Sequence, residues 1–92
     1  MIAVQDEEIL DAMRSTARLG GVFGEPAGVA GVAGLKKAVA HKMVDSNSTA
    51  VVVITGNGLK DIQSAKEATG QPLDIDPDFG TLEAKLKDLR IL

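Results

Sequence analysis

Thr49-Ala-Val-Val-Val-Ile-Thr-Gly-Asn-Gly-Leu-Lys-Asp61 is the stretch on which the reading of this chain turns. Val51 to Ile54 is an unbroken β-branched run with no polar alternation, which predicts a strand covered on both faces, as in a parallel sheet. Thr55-Gly56-Asn57-Gly58 follows as the loop at the carboxyl end of that strand. Its two glycines let another group approach the main chain closely, and ligands of open α/β sheets bind beyond the carboxyl ends of strands. A hydroxyl followed by Gly-Asn-Gly at that place is expected to be a ligand-contacting edge.

The flanks of this stretch read as helices. Ile9, Leu10, Met13 and Ala17 share one face at helical spacing, predicting a helix over residues 7–19 with Asp6 as N-cap and Gly20-Gly21 as its stop. Pro26 suits the first turn of a second helix running to about residue 42. In its first half Gly28, Gly31 and Gly34 are interleaved with Ala27, Ala30 and Ala33. Each interior glycine costs about 0.5–1 kcal/mol relative to alanine, so the three together cost on the order of 2 kcal/mol. That cost predicts compensation by close packing against another element or a ligand. Glu25, just ahead of this helix, either stabilises the helix dipole or lines a pocket. His41, beside Lys42, reads as a cation at the negative end of the same helix.

Downstream of the loop, residues 61–69 can make two helical turns, ended by Gly70. Pro72 and Pro77 keep residues 71–79 extended or turned. Thr81 is expected to cap a last helix whose Leu82, Leu86 and Leu89 form an apolar edge docked on the body.

Composition narrows the function classes. Ninety-two residues, ten of them glycine and only Phe23 and Phe79 aromatic, predict one small domain or part of a larger one, with a lean core. A net charge of −3, with both signs mixed along the chain, argues against a nucleic-acid surface. The lack of cysteine excludes disulfides and thiolate metal sites, and the single histidine has no second ligand at metal-binding spacing. No apolar run approaches the ~20 residues of a membrane span. The amino terminus also lacks a signal pattern, so a cytoplasmic location is expected. The glycine loop fits neither the P-loop nor the dinucleotide fingerprint, and no Ser/His/Asp set is available. One strand alone leaves its N–H and C=O groups unpaired. Residues 1–92 are therefore read as a single partial domain of α/β class, mostly helical. Its one central strand would be completed by sequence beyond these residues or by another copy.

Two segments resemble a known family. Gly21-Val-Phe-Gly-Glu-Pro-Ala-Gly28 is similar to a segment near the carboxyl end of threonine synthases, and Thr55-Gly-Asn-Gly-Leu-Lys-Asp61 is similar to a second, in the same order. The resemblance covers residues 3–62, whereas 63–92 form a variable tail with a terminal helix. It implies the carboxyl-terminal part of a tryptophan-synthase-like fold that uses pyridoxal 5'-phosphate, with short strands flanking the central one. The implied reaction converts O-phospho-L-homoserine and water to L-threonine and phosphate. By the same match Thr55 would face the pyridine nitrogen, Gly56 and Asn57 would shape the wall beside the ring, and Glu25 would lie near the pocket.

The family's Schiff-base lysine segment and its phosphate-holding glycine loop have no counterpart here. No catalytic residue is therefore assigned, Lys60 included, and the chain is predicted inactive alone. The implied partners are the remainder of the threonine synthase chain and a small amino-acid substrate, with a homodimer or strand-paired self-association. The alternative is a stand-alone interaction or self-associating module derived from such an enzyme tail.

Overall fold

The computed structural model describes residues 1–92. Four helices follow one another: α1 (Asp6–Gly20), α2 (Pro26–Ala40), α3 (Ile62–Thr69) and α4 (Phe79–Asp88), with a 3-10 turn at Gly58–Lys60. The body is α1 packed on α2, with α3 against α1 and against the 3-10 turn.

Local chemistry sets the helix ends. Gln5, rather than Asp6, is the N-cap of α1, and its N–H donates to Glu8 Oε2 at 2.6 Å. Asp6 becomes the first helical residue, where its charge, with those of Glu7 and Glu8, suits the positive helix end. Gly21 closes α1 in the left-handed region (φ 68°), its N–H donating to the Ala17 carbonyl while Val22 N–H reaches Thr16. This is a Schellman close, and it needs a residue without a Cβ penalty at that point. Helix α2 starts at Pro26 and stops at Ala40, two residues earlier than expected, with His41 as an exposed C-cap. Thr81 does not cap α4: Asp78 does, accepting hydrogen bonds from Thr81 N–H at 2.8 Å and Thr81 Oγ1 at 2.9 Å.

The core is as lean as the composition requires. Only ten residues are buried. Seven are apolar, five of those are alanines, and Met13 and Val29 are the only large side chains fully enclosed. The other three are Gly24, Gly28 and Gly58, which places glycine main chain inside the molecule. Helix α4 has no fully buried residue: Leu82 and Leu86 are half-buried and Leu89 is exposed. The leucine edge is thus only partly covered, and α4 does not pack extensively on the other helices. The consequence is an open shape of 51 × 27 × 21 Å with a radius of gyration of 16.9 Å. A compact chain of this length would have a radius of gyration of roughly 12 Å.

The predicted central strand is not formed. Residues 49–55 neither donate nor accept a backbone hydrogen bond, and the sole β-bridge, Gly24 with Asn57, lies beyond them. Val51 and Val53 are 88% and 74% exposed, whereas Val52 and Ile54 are half-buried against α2. One face of the run is thus covered and the other is open. A ladder needs a second strand, and none of the 92 residues supplies one. The observed fold is accordingly helical, without the sheet of an α/β architecture.

Candidate functional site

The first turn of α2 and the glycine loop meet along one seam. Glu25 N–H donates to the Gly56 carbonyl at 2.8 Å, and Gly58 N–H donates to the Phe23 carbonyl at 2.9 Å. These two bonds fasten residues 23–25 antiparallel to 56–58 through the Gly24–Asn57 bridge. The two segments singled out in the sequence are therefore side by side in space.

Missing side chains make that approach possible. A Cβ on Gly28 would lie 2.9 Å from the Gly56 nitrogen and 3.2 Å from its carbonyl oxygen, so the helix rests on bare main chain. Gly31 offers the next step, where a Cβ would stand 3.2 Å from Val52 Cγ1. A Cβ on Gly24 would collide with Val29 and Ile54, and one on Gly58 would collide with the Phe23 ring. Close packing thus offsets the helical cost of Gly28 and Gly31. Gly34 meets nothing within 4 Å, and the structure gives no reason for a glycine there.

Glu25 is brought into the seam. Its side chain is only 20% exposed and lies over Gly56, where a Cβ would overlap Oε1. Lys60, 67% exposed, extends from the 3-10 turn and donates to Glu25 Oε1 at 3.5 Å. Glu25 is also the N-cap of α2, through its backbone only, since its carboxylate makes no cap hydrogen bond. Glu25 thus sits at the positive helix end, as one sequence reading has it, and its side chain lies beside the loop.

The loop residues differ in what they leave free. Thr55 is exposed and its hydroxyl makes no hydrogen bond within the chain. Asn57 is exposed, but its Oδ1 is engaged by Leu59 N–H at 2.9 Å, capping the 3-10 turn. Its amide N–H groups and the second lone pair of Oδ1 remain to address a ligand. Asp61 closes the region by capping α3, accepting from Ser64 N–H at 3.0 Å and Ser64 Oγ at 2.8 Å. Those donors hold its carboxyl below the ordinary aspartate value.

Sequence reasoning named Thr55, Gly56, Asn57 and Glu25, and the structure gathers all four at the seam. It missed the Lys60–Glu25 pair and the Phe23 ring over Gly58, because both join residues far apart in sequence with no shared periodicity. The groove between α1 and α2, by contrast, is a structural feature. There Lys36 pairs with Asp11 at 2.5 Å and Lys37 with Glu8 at 3.0 Å, so its charges already have partners. No group of three or more His, Cys, Asp or Glu gathers to hold a metal ion, and no helix is long and apolar enough to cross a membrane.

No protein-family model matches the chain. Comparison with curated proteins gives consistent relatives. The chain is 41% identical to the threonine synthase of Methanocaldococcus jannaschii over 87 residues, which is 95% of this chain and 22% of that protein. It is 46% identical to the threonine synthase of Mycobacterium tuberculosis over 78 residues, 83% of this chain and 22% of that protein. With the threonine synthase of Mycobacterium leprae it shares 53% identity over 64 residues, 70% of this chain and 18% of that protein. The chain spans about a fifth of the length of the curated relatives it matches.

Proposed function

Because this chain belongs with the threonine synthases, whose carboxyl-terminal portion it matches, we propose that it supplies one wall of the pyridoxal-phosphate site of such an enzyme. The observation that carries the proposal is the seam: the two segments of family likeness, separated by a whole helix, pack against each other and present Thr55 at their edge. The reaction is the conversion of O-phospho-L-homoserine and water to L-threonine and phosphate, in the cytoplasm. The remaining elements, including the Schiff-base lysine and the phosphate loop, belong to the rest of the enzyme chain. The 92 residues alone are inactive.

The residues present fit the group. A pyridine ring nitrogen left unprotonated needs one neutral donor, and the Thr55 hydroxyl is open and uncommitted. Bound pyridoxal phosphate would act as an electron sink for the substrate's reacting carbons. This chain's part is to bind and orient. Thr55 donates to the ring nitrogen and, being neutral, does not favour a pyridinium as an aspartate would. Gly56 keeps the wall free of a side chain. Asn57 holds the loop's shape by capping the 3-10 turn, and Glu25 fastens the loop to α2. With neighbouring strands in place, Val51 to Ile54 becomes the central strand, its backbone groups already free to pair.

A chimera tests the reading: the M. jannaschii enzyme with its matching segment replaced by residues 1–92 of this chain. It is expected to bind pyridoxal phosphate, to trap one stoichiometric lysine adduct upstream on borohydride reduction, and to release threonine and phosphate. Thr55→Val in that chimera should lower turnover, by up to the roughly 100- to 1000-fold lost when a preorganised oxyanion-hole donor is removed. A folded chimera that takes up no cofactor would overturn the proposal. So would a saturable cofactor band with a single adduct on the 92-residue chain alone.

A further inference from the structure

We propose that Lys60 is a positioning residue, which holds the Glu25 carboxylate down over Gly56 and neutralises its charge beside Thr55. The role toward the cofactor rests on the function proposed above; the mechanical role does not.

Glu25 and Lys60 lie 35 positions apart and come from different elements, yet the lysine's amine reaches Oε1 at 3.5 Å. The carboxylate it reaches is largely enclosed, at 20% exposure, and occupies the space a side chain on Gly56 would need. A carboxylate so placed loses much of its water, and such a group is retained only with a compensating charge or donors. It has no hydrogen bond from the α2 cap. Lys60 is its one cationic neighbour among the chain's salt bridges. With Lys60 removed, the carboxylate gains by rotating outward to water, and the space over Gly56 empties.

Thr55 directly precedes Gly56, the residue that Glu25 covers, so the carboxylate stands one residue along the main chain from the threonine proposed to address the ring. An unpaired anion there would favour a protonated ring nitrogen, because a nearby negative charge raises the pKa of a cationic acid. It would undo what a neutral hydroxyl at Thr55 achieves. The Lys60 ammonium, 3.5 Å from Oε1, offsets that field with the opposite sign.

The mechanical part is tested on the 92-residue chain by a double-mutant cycle of Gly56→Ala and Lys60→Met, read by urea unfolding monitored by circular dichroism. In the native background the added methyl meets a held carboxylate; in the Lys60→Met background the carboxylate can leave. The loss in folding constant caused by Gly56→Ala should therefore be smaller in that background by at least about threefold, within the range for coupled neighbours. Lys60→Arg should keep the full loss. Equal losses in both backgrounds overturn the proposal.

The electrostatic part is read in the chimera from the pH dependence of the bound cofactor's absorbance. Lys60→Met should shift the ring's protonation to higher pH, and Glu25→Gln added to it should shift it back. Coupling in the cycle with an unmoved titration would remove the electrostatic role and leave the function proposed above intact. A chimera that binds no cofactor would sink that function and leave the cycle to decide on Lys60.

Discussion

Gly28 and Gly34 occupy the same helix, and their alanine variants should move stability in opposite directions. At Gly34 nothing stands within 4 Å of a new methyl group. Gly34→Ala should therefore stabilise by about 0.5–1 kcal/mol, through the smaller entropy of the unfolded chain and better helix propensity. At Gly28 the methyl would press on the Gly56 main chain at 2.9 Å. The same gain is outweighed there by overpacking, which typically costs about 1–3 kcal/mol. Urea denaturation followed at 222 nm separates the two; equal effects would mean that the seam does not persist in solution. The sequence made this chemistry partly legible. Three helical glycines announced close packing, and the structure supplies it at two. Position 34 carries the same letter without the same neighbour, and the Lys60–Glu25 pair leaves no periodic trace at all.

At the scale of elements, the helices were readable and their exact caps were not. Apolar spacing fixed α1, and Pro26 fixed the start of α2. Capping depends on which of several adjacent polar residues reaches an orphan N–H, so Gln5 displaced Asp6 and Asp78 displaced Thr81. The strand failed for a different reason. β-branched residues express a preference for an extended, packed environment, and a ladder is a property of two segments.

The caps carry an acid-side prediction. Asp61 and Asp78 are both held below the ordinary value of 3.8, chiefly by the backbone N–H groups of Ser64 and Thr81. A depressed folded value means stability that is fully present above 3.8 and is lost as pH falls through the lower folded value. Ellipticity at 222 nm should stay level from neutrality to about pH 4 and decline below it. Replacing both residues by asparagine, which caps without titrating, should shrink that decline. An unchanged decline would assign it to Glu8 and Asp11, whose carboxyls are also held low, by the Gln5 N–H and by Lys36 respectively.

The whole molecule is defined by what it leaves uncovered. Its radius of gyration of 16.9 Å, its ten buried residues and the unpaired backbone of residues 49–55 together describe an open surface. A bare, uncharged, β-branched edge is a template for pairing with another copy. The isolated chain should accordingly self-associate as its concentration rises, measured by light scattering. Val53→Lys, at a site 74% exposed, should suppress association while changing monomer stability by no more than about 0.5 kcal/mol. A wild-type chain that stays strictly monomeric would remove the basis for this expectation. The lack of a partner for that run was visible in the sequence, because nothing else in the 92 residues reads as a strand to pair with it. The elongated shape was not, since it follows from α4 staying off the body.

The seam also sets how this protein can drift over generations. At Gly56 the obstacle to a larger residue is a side chain, Glu25, and a shorter residue at position 25 could admit it. Sterically, positions 25 and 56 are thus coupled: a side chain at 56 requires a shorter residue at 25. At Gly28 the obstacle is the peptide itself, which has the same atoms whichever residue occupies position 56. No second substitution can answer a change there. Among descendants of this sequence, 25 and 56 should covary, and 28 should stay glycine without a correspondent.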